Sequence, residues 1–420
     1  MNILHLSAPL SRIISGNINL DGSKSISNRA LIALALAGAQ PAHYLSRLST
    51  SKDTVTLQHL LEQPLTETFD AGDAGTTFRF LTAYLCLQPG AQTLTGSHRM
   101  LERPIGALVD ALRTLGADIR YLGREGYPPL AIGEMQQTTA SVRVRADVSS
   151  QFLSALALIG PYLPLGLRLE PDGPLVSKPY LDMTLGLMRH LGASAEWEND
   201  TLVVTPGAYT PTTFAVEADW SAASYYYAFV ALSKEAELQL NGLFENSWQG
   251  DAVLPRMMAS LGVETTFNQE GVFLKKSGKP PKPLFEWDFV DCPDIAQTLA
   301  VVCAGLGVHG LFTGLQTLSI KETDRIAALK NELKKVQVAF SKLPPHFSKK
   351  FPNKTYYMVD GKAHWEGAVQ FATYGDHRMA MAFAPLALLG EVAIENPEVV
   401  DKSYKRFWED LKMLRVSVST

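Results

Sequence analysis

Two kinds of helical pattern alternate along the chain. The first is apolar nearly all round and opens on hydroxyl, Asp or Gly positions. A helix without a polar face is one buried on most sides. Six stretches read this way: from Ser27 (SNRALIALALAGA), Gly75 (GTTFRFLTAYLCL), Ser149 (SSQFLSALALIGP), Ser221 (SAASYYYAFVAL), Asp294 (DIAQTLAVVCAGLG) and Asp376 (DHRMAMAFAPLALLG). The second kind is amphipathic, and several members end in Leu-Gly and run into a strand. RPIGALVDALRTLGADIRYL from Arg103, KPYLDMTLGLMRHLGASAEW from Lys178, DAVLPRMMASLGVETTF from Asp251 and KETDRIAALKNELKKVQVAF from Lys321 show it. KDTVTLQHLL from Lys52 and KSYKRFWEDLKMLRVSV from Lys402 are weaker copies. Successive helices of the first kind lie about 50 to 80 residues apart, longer than solenoid repeats and suited to a compact unit of two helices and several strands. Six such units predict an α/β protein of two domains with three units each, broken near Val216 to Asp219. Ahead of the first unit, SRIISGNINL alternates like a strand.

The length, 420 residues, agrees with two domains. Apolar residues make up 46% and charged residues 19%, which is a globular composition. The formal net charge of -4 gives the molecule no general field for nucleic acid or an anionic membrane, so any anion site must be local. Three cysteines, Cys86, Cys292 and Cys303, with no CxxC spacing argue against a disulfide framework or a zinc site. The opening MNILHLSAPLSRIIS has no charged segment followed by a long apolar run. No secretory signal is expected, and a cytoplasmic location with reduced thiols is.

Chemistry enters at the helix starts. The buried helices open with Lys24, Ser25, Thr76, Arg79, Ser149, Ser150, Gln151, Asp294, His377 and Arg378. The amphipathic ones open with Arg103, Lys178, Lys321 and Lys402. In GSKSISNR, Lys24 and Arg29 add positive charge to a helix N-terminus that is already partly positive, which an anion seated there would explain. The stretch lacks GxxxxGK[ST], so it is no Walker loop. Each motif has an ordinary reading: N-capping for VSSQF and CPDIAQT, a turn for DAGDAGTTFRF, a surface ladder for KETDR with Lys321 and Arg325 at i and i+4. Arg79 resists such a reading, because an unpaired Arg in an apolar helix is costly. Taken together, the starts predict a cleft rich in N–H donors and cations for a ligand with several negative charges.

The order GSKSISNRAL, AGTTFRFLTA, RMLERPIGALVDALRTLGA, SSQFLSAL, SKPYLDMTLGLM, PD, KETDR, DHRMAMAF closely resembles the EPSP synthase (3-phosphoshikimate 1-carboxyvinyltransferase) family from about residue 20 to about residue 410. The resemblance implies a two-domain inside-out α/β barrel, each domain three βαβαββ-type repeats. Residues 22–218 would form the N-terminal domain, and 1–21 plus 219–420 the C-terminal one. It implies transfer of the enolpyruvyl group of phosphoenolpyruvate to the 5-hydroxyl of shikimate 3-phosphate, in aromatic amino-acid biosynthesis. No metal or organic cofactor and no nucleic-acid or membrane partner is implied. A monomer is expected, with glyphosate as inhibitor and hinges near residues 20 and 218. Catalysis would fall to Asp294 as base and to Glu322 and Lys24 in proton transfer. The shikimate 3-phosphate site would comprise Lys24, Ser25, Arg29, Ser149, Ser150, Gln151, Ser177, Tyr180, Asp294 and Lys321. The phosphoenolpyruvate site would comprise Lys24, Gly75, Arg79, Arg99, Gln151, Arg325, Arg378 and Lys402.

The chain departs from the family pattern at Asp73 (often Asn), Phe80 (often Pro), Thr317 (Asn in some members), and Ser97 and His98 (commonly acidic). The basic, Pro-rich stretch FSKLPPHFSKKFPNK, 340–354, reads as a solvated loop. The alternatives are the sister enolpyruvyl transferase that acts on UDP-N-acetylglucosamine and a non-catalytic anion-binding relative. The sister family typically carries a Cys acid in a mobile loop, and RMLERPIG has none.

Overall fold

The computed structural model describes residues 2–65, 68–145, 149–173, 175–345 and 354–420. The chain divides into two compact units, Gly22–Val216 and Met1–Asp21 with Glu217–Thr420. Each has its own hydrophobic core.

The larger unit contains three βαβαββ repeats. In the second, strand Leu284–Asp288, helix Ala296–Leu306, strand His309–Thr313, helix Arg325–Lys335 and strands Ala339–Lys342 and Tyr357–Asp360 follow in order. The first two strands pair in parallel, the last two form an antiparallel hairpin, and the fourth strand lies beside the second. The other two repeats have this sheet order but borrow a strand from the chain's start. Ile13–Asn19 pairs in parallel with Glu235–Asn241 and serves as the first strand of the repeat that continues at helix Trp220–Leu232. Ile3–Ser7 lies between Val392–Glu395 and Ser417–Ser419 as the fourth strand of the last repeat.

The Gly22–Val216 unit has two full repeats, 68–133 and 141–204, with the same strand order. Its third is incomplete. Helix Lys24–Leu36 and helix Lys52–Glu62 flank a two-stranded parallel sheet of Leu45–Ser46 and Phe214–Ala215. The chain runs from Glu62 to strand Thr68–Asp70 with no room for a hairpin. The expectation of three βαβαββ repeats in each domain is therefore corrected for this unit. The sheets are separate and open, among the described residues none closes on itself, and in each unit they flank the buried helices, as the inside-out α/β expectation has it.

The helices read as buried are buried. Trp220–Leu232 has 12 of its 13 residues inside, and Ala296–Leu306 has 10 of 11. Helices Trp220–Leu232, Ala296–Leu306 and His377–Phe383 pack on one another within the larger unit. Helices Lys24–Leu36, Gly75–Leu85 and Ser150–Ile159 do so in the other. At ~1.5–3 kcal/mol for each fully buried large apolar side chain, these helices hold their units together. Their apolar bodies leave the polar first turns as the places where chemistry can sit. All three cysteines are buried free thiols, and burial pushes each thiol above its ordinary range. Among the described residues no helix is long and apolar enough to cross a membrane. Of the basic stretch 340–354, residues 346–353 lie outside the described residues. Lys354 pairs with Asp288.

Candidate functional site

In the Gly22–Val216 unit the helix that opens at Lys24 divides its polar residues between packing and site. Ser27 Oγ accepts from the Ser49 amide at 3.0 Å, and Asn28 Oδ1 accepts from Thr54 Oγ1 at 2.8 Å. Both tie the helix to the segment leading into Lys52–Glu62. Arg29 donates from Nε to Thr184 Oγ1 (2.7 Å), from Nη1 to the Ser25 carbonyl (2.8 Å) and from Nη2 to Ser154 Oγ and the Tyr180 carbonyl (both 3.2 Å). Phe80 lies under its guanidinium at 5.2 Å. These partners are neutral, and burial lowers the guanidinium's pKa to about 10. Arg29, expected at the shikimate 3-phosphate site, thus donates four hydrogen bonds within the protein. Lys24, at 3.1 Å from Asp53 Oδ2, remains as the directed cation of this helix start.

Gly75 opens the next helix at a point where a side chain would have to displace two guanidinium groups. A Cβ there would lie 2.5 Å from Arg103 Nη1 and 2.7 Å from Arg79 Nη1. Two guanidinium groups thus converge over one glycine. Arg79 donates to the Gly75 carbonyl at 2.7 Å and stands 5.6 Å from the Phe152 ring. Arg103 Nε is buried without a hydrogen-bond partner. Like charges brought this close favour an anion beside them. Arg99, expected in this role, is half exposed and pairs with Glu102 at 3.0 Å. Arg103 replaces it. The signal was present in ERPIG, but it reads as the opening of an amphipathic helix. Gln151 Nε2 reaches Thr76 Oγ1 at 3.2 Å and joins the starts of two buried helices, while Ser149 Oγ caps the Gln151 amide. Ser150 is buried beside them. Ser177 precedes helix Lys178–His190 in a left-handed conformation (φ 56°), and Tyr180 in that helix's first turn contributes its carbonyl to Arg29. Asp73 accepts from Ser97, so two of the departures from the family pattern pair with each other.

The larger unit gathers a dense ion cluster. Arg325, 1% exposed, donates from Nε to Asp376 Oδ2 (2.7 Å), from Nη1 to Asp294 Oδ1 (3.2 Å) and from Nη2 to Glu322 Oε2 (2.8 Å). Arg378 Nη2 reaches the other Asp294 oxygen at 2.8 Å. Lys402 Nζ lies 3.4 Å from Glu322 Oε1, and Lys321 Nζ 3.9 Å from Asp294. Burial works against the charge of Arg325, yet Asp376, Glu322 and Asp294 hold its pKa above the usual value. Burial also lowers that of Lys321, with Asp294 opposing.

Local structure differs from the sequence reading at three points. KETDR is not a helical face: Lys321 and Glu322 precede the helix, and Asp324 caps it by accepting from the amides of Ile326 (3.0 Å) and Ala327 (3.1 Å). This turn lets Lys321, Glu322 and Arg325 converge. Asp294 sits in the 3-10 turn Pro293–Ile295 ahead of its helix, with its carboxylate on Arg325 and Arg378. Lys402 ends the 3-10 turn Pro397–Lys402, outside any α-helix. Asp376, unassigned from sequence, braces Arg325 and caps the Arg378 amide at 2.8 Å. Thr317 is buried with an unpartnered Oγ1.

A repeat-built α/β scaffold whose buried helix starts carry cations, with carboxylates set between them, defines an enzyme for small polyanions. The sequence profile of EPSP synthase (3-phosphoshikimate 1-carboxyvinyltransferase) matches residues 46–411. The 3-phosphoshikimate 1-carboxyvinyltransferase of Bacteroides fragilis is 47% identical over 410 residues, covering 97% of this chain and 96% of that protein. The protein of the same name from Neisseria meningitidis serogroup C is 34% identical over 429 residues, 96% of each. The EPSP synthase structure from Acinetobacter baumannii shares the fold over the whole of both chains, with a TM-score of 0.77 at 20% identity. The chain belongs to the EPSP synthase family.

Proposed function

We propose that this chain transfers the enolpyruvyl group of phosphoenolpyruvate to the 5-hydroxyl of shikimate 3-phosphate, releasing phosphate, in the shikimate pathway. The observation that carries the assignment of roles is Asp294: a carboxylate shared by Arg325 and Arg378 among cations that outnumber their acidic partners. The reaction proceeds by addition and elimination through a tetrahedral intermediate. Asp294, ionised between two guanidinium groups, accepts the proton of the attacking hydroxyl. Glu322, bonded to Arg325 and Lys402, and Lys24, bonded to Asp53, move the protons at the methyl and leaving-group sides. Acid and base groups act only within hydrogen-bond reach of the reacting atoms, a requirement these turns serve by fixing side chains that long loops would leave free. Arg79, Arg103, Arg325, Arg378 and Lys402 bind phosphoenolpyruvate. Guanidinium forks match both its carboxylate and its phosphate. Lys24, Ser25, Ser149, Ser150, Gln151, Ser177, Tyr180 and Lys321 bind shikimate 3-phosphate, with Arg29 acting through its charge. Glyphosate, also an anion, competes with phosphoenolpyruvate, and the enzyme acts as a cytoplasmic monomer.

The test is phosphate release from the purified protein with both substrates and no added metal. Release that needs both substrates is expected, and so is loss of release in Asp294→Ala. Turnover of UDP-N-acetylglucosamine in place of shikimate 3-phosphate would overturn the assignment of acceptor. Normal turnover by Asp294→Ala would overturn the role of that residue.

A further inference from the structure

Asp251 has no task in the reading above, although it stands among the site's charges. It lies on the 3-10 turn Gly250–Val253 and is 4% exposed. Its Oδ2 bonds to Ser221 Oγ in the first turn of helix Trp220–Leu232, and its Oδ1 is buried without a partner. That helix packs against the turn holding Asp294, and its Ser224 Oγ meets Thr298 Oγ1, in Asp294's own helix, at 3.1 Å. We propose that Asp251, held by Ser221 on the helix that packs against the Asp294 turn, controls the net charge facing the phosphoenolpyruvate clamp and is a positioning residue of this enzyme.

The argument is one of charge and burial. An ionised carboxylate oxygen buried without a donor forfeits its hydration and gets nothing in return, so the neutral acid is the favoured form. Burial first, then the charge of Asp294, pushes the Asp251 pKa up to about 7; Ser221 and Arg378 oppose the rise and Asp219 adds to it. Cys292 is a further titratable group that registers the charge of Asp251. Next to it, the ion cluster sets four cations (Lys321, Arg325, Arg378, Lys402) against three carboxylates (Asp294, Glu322, Asp376). A neutral Asp251 leaves the charge of this cluster unchanged, and an ionised one lowers it by one. Phosphoenolpyruvate is an anion whose phosphate is fully ionised by about pH 7. Ionisation of Asp251 above that pH therefore weakens binding of the donor substrate.

The inference rests on Asp294 and Arg378 being substrate-site residues, as proposed above. The experiment measures KM for phosphoenolpyruvate and kcat from pH 6.5 to 9 for the wild type, Asp251→Asn and Ser221→Ala. Asparagine has nearly the same shape and never ionises. The ratio of wild-type KM to Asp251→Asn KM is expected to grow about tenfold across the range, as one unscreened charge near a buried site requires, while the kcat ratio changes less than about twofold. Lys321 titrates alike in both proteins and drops out of the ratio. In Ser221→Ala the loss of the hydrogen bond that favours the ionised acid moves the inflection in KM to higher pH. A KM ratio constant with pH overturns the proposal. Should Asp251→Asn not fold, an unmoved inflection in Ser221→Ala overturns it. Asp294→Asn run in parallel separates the two readings. Its normal turnover would sink the site assignment, whereas an inactive Asp294→Asn with a constant KM ratio sinks the role of Asp251 alone.

Discussion

Gly75 holds apart nothing but two guanidinium groups, and its lack of a side chain is what lets them meet. The ends of Arg79 and Arg103 can yield to a methyl group, so Gly75→Ala should fold with a Tm within about 2 °C of wild type. It should raise KM for phosphoenolpyruvate roughly tenfold or more, since displacing even one guanidinium–anion contact costs more than ~1.4 kcal/mol. Arg103→Ala should do at least as much, and Arg99→Ala less than about threefold, because an exposed ion pair such as Arg99–Glu102 contributes little. Kinetics of the three variants check all of this. Asp73 and Ser97 exchange the polarity the family pattern expects at each, and their mutual hydrogen bond accounts for the pair of changes together. Phe80 lies beneath the Arg29 guanidinium, so Phe80→Pro removes that face and interrupts helix Gly75–Leu85. A shift of at least about threefold in the glyphosate inhibition constant is expected; equal constants for the two proteins would count against any influence of Phe80 on that site. Asp251 also makes a stability prediction. Its folded pKa, about 7, lies above the unfolded 3.8, so the protonated native form stabilises fully below about pH 4 and that contribution is lost as pH rises to about 7. Asp251→Asn should therefore gain in Tm over wild type as pH rises from 4 to 7 and hold the gain above it.

At the scale of elements, the apolar pattern was enough to find the six buried helices, because a helix with no polar face has only one place to go. It did not give their starts. KETDR carries helix-compatible residues throughout, yet Asp324 caps the helix one residue before Arg325 and leaves Lys321 and Glu322 in a turn. Capping competes locally with propagation, and a sequence with several polar candidates does not declare the winner. The same ambiguity hid the position of Asp294 ahead of its helix and the bracing role of Asp376. In the sequence Arg103 is only one of several cations at amphipathic helix starts, because the glycine it stands over is distant along the chain. Arg29 carries a packing task that its motif does not announce: its donors tie helix Lys24–Leu36 to Thr184, Ser154 and the Tyr180 carbonyl. Arg29→Met should thus lower stability by ~1–3 kcal/mol through the buried neutral acceptors it abandons, a loss visible as a lower urea midpoint, whether or not substrate is present.

At the scale of the molecule, the spacing of the buried helices made the repeats legible, and the short strands concealed how they close. Leu45–Ser46 and Phe214–Ala215 are too brief to show alternation, and their pairing joins the beginning and end of one unit. The Gly22–Val216 unit is inserted within a repeat of the other, between strand Ile13–Asn19 and helix Trp220–Leu232. Fragment 22–216 contains its whole core and should fold alone, with cooperative urea unfolding followed by circular dichroism. Fragment 217–420 lacks two strands of its sheets, one of them interior. It should be unfolded or molten by itself and recover native near-UV circular dichroism when a peptide of residues 1–21 is added. Cooperative unfolding of 217–420 without the peptide would show that the borrowed strands are dispensable.

The interior position of Ile3–Ser7 bears on how the protein is made. This strand leaves the ribosome well before its two neighbours, Val392–Glu395 and Ser417–Ser419. At ~5–20 residues per second the intervening chain takes roughly 20–80 s to appear. Throughout that interval an apolar, strand-forming segment waits without its neighbours while the inserted unit can complete itself. Newly made molecules are therefore exposed to strand-swapping between neighbouring nascent chains until those two strands emerge.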